Sequence, residues 1–171
     1  NNIGGPPLGK ATALEDESWM DAFEQNFLSA TRMSREVVPL MKQQGWGRII
    51  NLLSISIRTP EEGLVLSSAM RMAVAGFSKA LSDEVAPFNI TVNNVLPGYI
   101  LTDRLRSLKE IEAEKSGRNL EDLMEETAKG VPLGRLGKPE EMGDLITFLA
   151  SEKPSYITGT SIPLDGGVLR V

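Results

Sequence analysis

The fold is decided by residues 47–97, which read GRIINLLSISIRTPEEGLVLSSAMRMAVAGFSKALSDEVAPFNITVNNVLP. Residues 48–53 form a short apolar run that is closed by a serine-rich loop, a pattern typical of a buried strand. Residues 90–96 are rich in β-branched side chains and end at a Pro-Gly pair, which predicts a second strand. With a helix between them, the two strands form a crossover unit and should be parallel.

The element between the strands is predicted as a helix of about five turns, because apolar residues recur at helical spacing: Leu66, Ala69, Ala73, Phe77 and Ala80. Another long helix is predicted before the unit, over residues 16–44, and Gly45 ends it. Pro39 should bend or weaken its last turns. Asn26 lies beside its apolar stripe, where a buried amide must find partners or cost about 1–3 kcal/mol.

The rest of the chain is predicted as three more helices and one strand. Residues 99–118 begin as a loop and become a charged helix, and Asn119 can cap a second short helix that ends at Gly130. The segment of about 99–130 is either a flap over a site or an ordinary surface excursion, and the sequence favours neither. Pro139 is well placed to start the last helix, and residues 160–164 form the last strand.

Composition restricts the class of protein. The 171 residues are 41% hydrophobic and 24% charged, which predicts one soluble globular domain. The formal net charge of -5 argues against nucleic acid as the main partner. With no Cys and no His, disulfides, thiolate and imidazole chemistry and nearly all zinc sites are excluded, so no metal is predicted. No apolar run is long enough for a membrane span. The missing cysteines fit an intracellular protein, and we expect a cytoplasmic location.

Three polar residues stand where parallel α/β sheets place their ligands. Ser54 follows directly after the first predicted strand, at its C-terminal end. Ser67 and Arg71 are four residues apart on the following helix, so their side chains share one face. Each signal has an ordinary structural alternative, since a serine there is often a turn former and such a pair is often a solvated polar strip.

Several motifs together resemble the C-terminal half of the short-chain dehydrogenase/reductases, especially the 3-oxoacyl-carrier-protein-reductase-like members. Asn1-Asn2-Ile3-Gly4 is similar to the family's N-N-A-G segment, and Asn26 falls on the Asn of the catalytic set. The strand that ends at Ser54 is similar to the strand that ends in the catalytic Ser. Residues 97–102 match P-G-x-x-x-T, and residues 156–159 and 164–167 are close to the closing motif.

The resemblance implies a three-layer, Rossmann-type parallel sheet, of which this chain holds the C-terminal portion. It implies NAD or NADP as cofactor, a carbonyl or alcohol substrate of unknown identity, and an oxidoreductase. It also implies a homotetramer or homodimer, with a four-helix contact through the two long helices. The candidate cofactor-binding residues are Asn2, Gly4, Arg71, Pro97, Gly98, Ile100 and Thr102, and the candidate catalytic residues are Ser54, Asn26, Ser67, Arg71 and Tyr99.

Two positions depart from the family pattern. The catalytic Tyr stands thirteen residues after the Ser and four before a Lys, and these positions here hold Ser67 and Arg71. Carbonyl reduction needs a proton donor of suitable acidity. An alkyl hydroxyl is several pKa units less acidic than a phenol, and a guanidinium fork is not a point ammonium. Tyr99 is the candidate for a substitute acid, and its alternative is a wall of the pocket.

Two other functions remain open from the sequence. The first is a catalytically silent relative that binds a nucleotide, a ligand or a partner, which the pair Ser67 and Arg71 favours. The second is a structural subunit that pairs with an active homologue. The family's glycine-rich turn for the pyrophosphate has no counterpart here. We therefore expect this sequence to be part of a longer protein in which the adenosine-binding half precedes Asn1.

Overall fold

The computed structural model describes residues 1–170 and contains three strands that form one parallel sheet in the order β1-β2-β3. In the pairing, Asn51 lies opposite Asn94, and Asn94 lies opposite Ser161. The predicted α/β class and the parallel crossover are confirmed. The bounds of the strands are Gly47–Leu52 for β1, Ile90–Pro97 for β2 and Ser161–Leu164 for β3.

Within residues 1–170 the α-helices are α1 (Asp16–Ala22), α2 (Ser29–Gln44), α3 (Val65–Val85), α4 (Asp103–Ser116), α5 (Leu120–Gly130) and α6 (Pro139–Ala150). The predicted long helix at residues 16–44 is present, but a π-helical segment, Phe23–Leu28, joins α1 to α2. Pro39 lies inside α2, which continues to Gln44, and the bend predicted there stays a prediction. Gly45 follows with a left-handed φ of 64°, as predicted. Asn119 caps α5 through its side chain, also as predicted.

Helices cover both faces of the sheet. Ile49 of β1 and Val92 of β2 share one core cluster with Val38 of α2 and with Leu81 of α3. Successive side chains of a strand point to opposite faces, so Arg48 faces away from α2 and α3. Its Nε donates to the carbonyl of the residue after α6, at 3.1 Å. The sheet therefore lies between α2 and α3 on one side and α6 on the other, which gives three layers.

The predicted helix between the strands is confirmed as α3, and Leu66 lies on its buried face. Ala73 and Ala80 are exposed, whereas the neighbouring positions Val74 and Leu81 are buried. Serines share this core face, and Ser78 is buried because its hydroxyl donates to the carbonyl of Val74 at 2.7 Å. The core face of α3 therefore holds serines as well as apolar side chains.

The charged segment after β2 folds as α4 and α5, which pack against each other. Each buries one leucine, Leu105 and Leu123. The function of this segment as a substrate flap stays a prediction. Across residues 1–170, no helix is both long enough and apolar enough to span a membrane.

Candidate active site

The candidate residues gather at the edge of the sheet where β1 and β2 end. Ser54 follows β1, and Pro97 is the last residue of β2. Gly98 comes next, and a Cβ there would lie 2.9 Å from the Cα of Asp165, in the turn after β3. Only a glycine permits this close approach, so the Pro97–Thr102 loop begins directly beside the turn after β3.

Ser54 lies in extended backbone and its side chain caps a 3₁₀ turn, Ile55–Ile57. The backbone N–H of Ser56 donates to its Oγ at 3.0 Å. A hydroxyl that accepts a hydrogen bond still has its proton to donate. Ser54 can therefore donate to a ligand oxygen while the turn fixes its orientation.

Arg71 forms hydrogen bonds with three parts of the site: α3, the end of β1 and the N-terminal segment. Its Nε donates to Ser67 Oγ at 3.1 Å, which is the contact that their spacing on one helix predicts. Its Nη1 donates to the carbonyls of Leu52 at 2.8 Å and Leu53 at 2.9 Å, and its Nη2 donates to the carbonyl of Ile3 at 3.3 Å. A guanidinium has five N–H groups, so one is left for a ligand.

The charge of Arg71 is balanced by no carboxylate among residues 1–170, since all four of its acceptors are uncharged oxygens. Burial lowers the pKa of Arg71 below its usual range, and the positive charge of Arg104 lowers it further. Desolvation disfavours the charged form of a base, and a like charge nearby does the same. The site therefore carries excess positive charge in a half-buried position.

Asn26 is 3% exposed and lies in the π-helical segment. Its Nδ2 has no hydrogen-bond acceptor within the described part of the chain, so the predicted partners are not supplied by protein atoms. Asn26 and Arg71 line the same cavity of about 10 Å³, together with Ile3 and Asn51. That volume holds about one water molecule. The cavity that Asn26 and Arg71 share therefore has room for one group about the size of a water molecule.

We expect Asn26→Ala to change the free energy of unfolding by less than about 1 kcal/mol, because no protein hydrogen bond is lost. Removing an unpaired buried amide stabilises the folded state, whereas losing the packing contacts of the amide destabilises it. The two effects on the free energy of unfolding therefore partly cancel. Urea denaturation of the wild type and the variant measures the change. A loss above about 2 kcal/mol would show that the amide has a strong partner, such as an ordered water.

Tyr99 lies apart from the Arg71 cavity. Its hydroxyl donates to Glu61 at 3.3 Å, and its ring lines a second cavity of about 90 Å³ beside Leu133 and Asp165. Burial raises the pKa of Tyr99, and the negative charge of Glu61 and their hydrogen bond raise it further. A higher pKa makes the phenol a weaker acid at neutral pH. The geometry thus favours the interpretation of Tyr99 as a wall of the pocket.

The other candidate cofactor-binding residues include Asn2, Gly4, Ile100 and Thr102. Asn2 and Gly4 are exposed, and a Cβ at Gly4 would meet nothing within 4 Å. Thr102 caps α4, since its Oγ1 accepts from the backbone N–H of Leu105 at 3.4 Å. Ile100 is buried and forms a parallel bridge with Gly137. These residues border the site, and their contribution to binding a cofactor stays a prediction.

Three residues that shape the site were not predicted. Asn51 lines the Arg71 cavity, Glu61 accepts a hydrogen bond from the Tyr99 hydroxyl, and the positive charge of Arg104 lowers the pKa of Arg71. Asn51 was detectable as a polar residue inside an apolar strand. Glu61 lies in a loop and Arg104 at the charged start of α4, where no sequence pattern indicates which charge faces the site.

The chain matches, over residues 1–169, the family described as enoyl-(acyl carrier protein) reductase. It is 36% identical to the 3-oxoacyl-(acyl-carrier-protein) reductase FabG of Pseudomonas aeruginosa, with 98% of this chain and 64% of that protein covered. It is also 36% identical to the NADPH-dependent reductase BacG of Bacillus subtilis, with 99% and 66% covered. The chain thus spans about two thirds of the length of these curated relatives.

The solved structures that this chain resembles are also described as reductases. The crystal structure of YwfH, an NADPH-dependent reductase involved in bacilysin biosynthesis, superposes with a TM-score of 0.94 at 36% identity, over 100% of this chain and 66% of that one. The F189W actinorhodin polyketide ketoreductase with NADPH gives 0.91 at 30% identity, over 98% and 65%. Rossmann-type architecture is therefore shared with these reductases.

Proposed function

Because this chain belongs to the short-chain dehydrogenase/reductase family, we propose that its protein is an oxidoreductase that uses NAD or NADP on a carbonyl or alcohol substrate. The observation that carries the proposal is the gathering of Ser54, Ser67 and Arg71 at the end of β1. The relatives named above are reductases, and two of them are described as NADPH-dependent.

The residues present fit the nicotinamide half of a dinucleotide in their donor chemistry. Arg71 has one free N–H, and Ser54 and Ser67 each accept a hydrogen bond and keep a hydroxyl proton to donate. Such donors suit ribose hydroxyls and a carbonyl oxygen. When bound, a nicotinamide dinucleotide supplies or accepts hydride. The chain's own residues would orient the carbonyl through Ser54 and hold positive charge beside it through Arg71.

A second function, a catalytically silent binder, is favoured by one specific observation. Four of the five N–H groups of Arg71 donate to protein oxygens, and Ser67 stands where the family's tyrosine would donate the proton. A site in that condition can hold a ligand without a competent proton donor. The structural-subunit function, in which the chain pairs with an active homologue, has no such observation in its favour.

Titration of the full-length protein with NADPH and NADH, followed by nicotinamide fluorescence, tests the proposal. We expect saturable binding of at least one dinucleotide. Binding without turnover on any of a panel of ketones and aldehydes would support the silent binder. If turnover is found, Ser54→Ala should lower it strongly, whereas Tyr99→Phe should leave it within about twofold if Tyr99 is only a wall. No binding of either dinucleotide at millimolar concentration would contradict the dinucleotide-dependent oxidoreductase, and only a silent binder of another ligand or of a partner would remain.

Self-association and a cytoplasmic location are part of the same proposal. The outer faces of α2 and α3 expose Met33, Leu40 and Met72, which are 56%, 59% and 49% accessible. Exposed apolar side chains on two adjacent helices suit a contact with a second copy. Light scattering of the full-length protein would show a dimer or tetramer, and a monomer at micromolar concentration would contradict this contact.

A further inference from the structure

Arg104 occupies a space that only a glycine leaves open. It is the second residue of α4, and its guanidinium lies against Gly5. A Cβ at Gly5 would lie 2.8 Å from Cζ of Arg104 and closer still to its Nη2. Gly5 is not among the glycines with positive φ, so its backbone conformation does not require glycine. The missing side chain therefore serves to admit the guanidinium.

Arg71 contacts the same segment. Its Nη2 donates to the carbonyl of Ile3, two residues before Gly5. The two guanidinium groups thus meet the chain at residues 3–5, and their charges are close enough to interact, since Arg104 lowers the pKa of Arg71. The sequence has 23 acidic and 18 basic residues. Within residues 1–170, however, neither arginine is paired with a carboxylate.

From this arrangement we propose that Arg71 and Arg104 together bind an oxyanion, a phosphate or carboxylate group of the ligand, beside residues 3–5. Arg104 donates no hydrogen bond to the described residues, and Arg71 keeps one N–H. Planar guanidinium forks match carboxylate and phosphate geometry, and charge-assisted hydrogen bonds are the strong ones.

The inference rests on the proposed function for its location, because the oxyanion would enter the same site as the carbonyl. The oxyanion belongs either to the phosphates of the dinucleotide or to an acidic substrate. Either source would neutralise two adjacent positive charges that the protein itself leaves uncompensated. The site therefore selects an anionic ligand group, whatever the rest of the ligand is.

Calorimetric titration of the full-length protein with inorganic pyrophosphate and with malonate tests the proposal directly. Arg104→Gln removes the charge, and Arg106→Gln on the same helix is its matched control. Gly5→Ala displaces the guanidinium of Arg104, which is the free end of a flexible side chain, and Gly143→Ala in α6, where a Cβ meets nothing within 4 Å, is its control. We expect Arg104→Gln and Gly5→Ala to weaken binding of at least one probe about tenfold, and both controls to leave it unchanged.

The proposal is overturned if the wild type binds neither probe at 10 mM (about the weak limit of such a site), if Arg104→Gln and Gly5→Ala bind both as the wild type does, or if Arg106→Gln weakens binding as much as Arg104→Gln. Repeating the series with NADPH identifies the source. Weaker NADPH binding in Arg104→Gln assigns the oxyanion to the dinucleotide, and unchanged NADPH binding assigns it to the substrate. Because pyrophosphate and malonate contain no nicotinamide, the site can be present even if the dinucleotide proposal fails.

Discussion

The double substitution Ser67→Tyr with Arg71→Lys is expected to raise carbonyl reduction by about 10²–10⁴-fold, the usual contribution of general acid–base catalysis. An unperturbed phenol titrates near pH 10, and a neighbouring ammonium lowers its pKa toward neutrality. Ser67 and Arg71 already lie in contact, with Nε and Oγ 3.1 Å apart. The new pair would therefore stand at the same edge of the sheet, beside Ser54. The assay is NADPH consumption by the full-length protein with a panel of ketones and thioesters of 3-oxo acids.

The matched control is Ser67→Phe with Arg71→Lys, which has the same bulk and the same ammonium but no phenolic proton. We expect it to stay at the wild-type rate. Each single substitution should raise the rate only slightly, because the effects of groups that act as a unit are strongly non-additive. A wild-type rate equal to that of the double variant would show that the native site has its own proton donor. Equal increases in rate in the tyrosine and phenylalanine variants would show that the shape of the new side chain, and not its phenolic proton, causes the increase.

The replacement of Arg71 also changes what holds the site together. An ammonium is compact, whereas the guanidinium reaches Leu52, Leu53 and Ile3 at once. Activity of the double variant should therefore be compared at temperatures well below its own midpoint of unfolding. The native arginine is then interpreted as a residue whose contacts hold the strand end and residues 3–5 together, in addition to any contact with a ligand.

Much of the fold followed from the sequence because it depends on patterns that are local. Strands β1 and β2 are short apolar runs bounded by turn residues, and the helix between them forces the parallel crossover. Helix ends were predictable where Gly45 and Asn119 supply the chemistry of a cap. The π-helical segment at residues 23–28 was not predictable, since nothing in its composition separates an i→i+5 turn from an α-helical one.

The candidate site was predictable only in its positions. The spacing of Ser54, Ser67 and Arg71 indicated that they would be near one another, and Arg71 indeed contacts Ser67 and the end of β1. The hydrogen bonds that occupy Arg71 depend on carbonyls of distant residues, which no local pattern reveals. The same holds for Arg104, whose approach to the site depends on the absence of a side chain at Gly5.

A row of polar side chains crosses the sheet beneath the site. Asn51 Oδ1 accepts from Asn1 Nδ2 at 2.7 Å, and Asn51 Nδ2 donates to Ser78 Oγ at 2.8 Å and to Asn94 Oδ1 at 3.1 Å. Asn94 Nδ2 then donates to Ser161 Oγ at 3.0 Å. These bonds join all three strands to α3. A shift of one residue in register would turn the asparagines toward the opposite face, so the row fixes the register that brings the strand ends together.

We expect Asn51→Ala to lower the free energy of unfolding by about 2 kcal/mol, because the buried carbonyl of Asn94 loses its partner and an unpaired buried group costs about 1–3 kcal/mol. Asn1 is exposed, so its amide can donate to water instead. For a chain of this size the loss corresponds to a fall in the melting temperature of about 6 °C. Ser78 should contribute little to the loss, since its hydroxyl still donates to Val74. Thermal and urea denaturation of the full-length protein measure both quantities.

Two comparisons make this expectation specific. Asn26→Ala removes an equally buried amide that has no protein partner in residues 1–170, and its small effect would contrast with that of Asn51→Ala. In Asn51→Leu with Asn94→Leu both ends of one hydrogen bond are replaced by apolar groups, so the double variant should lose less than the sum of the two single leucine variants. Additive losses would show that the asparagines act independently, and the row would then not be a cooperative support for the strand ends that carry the site.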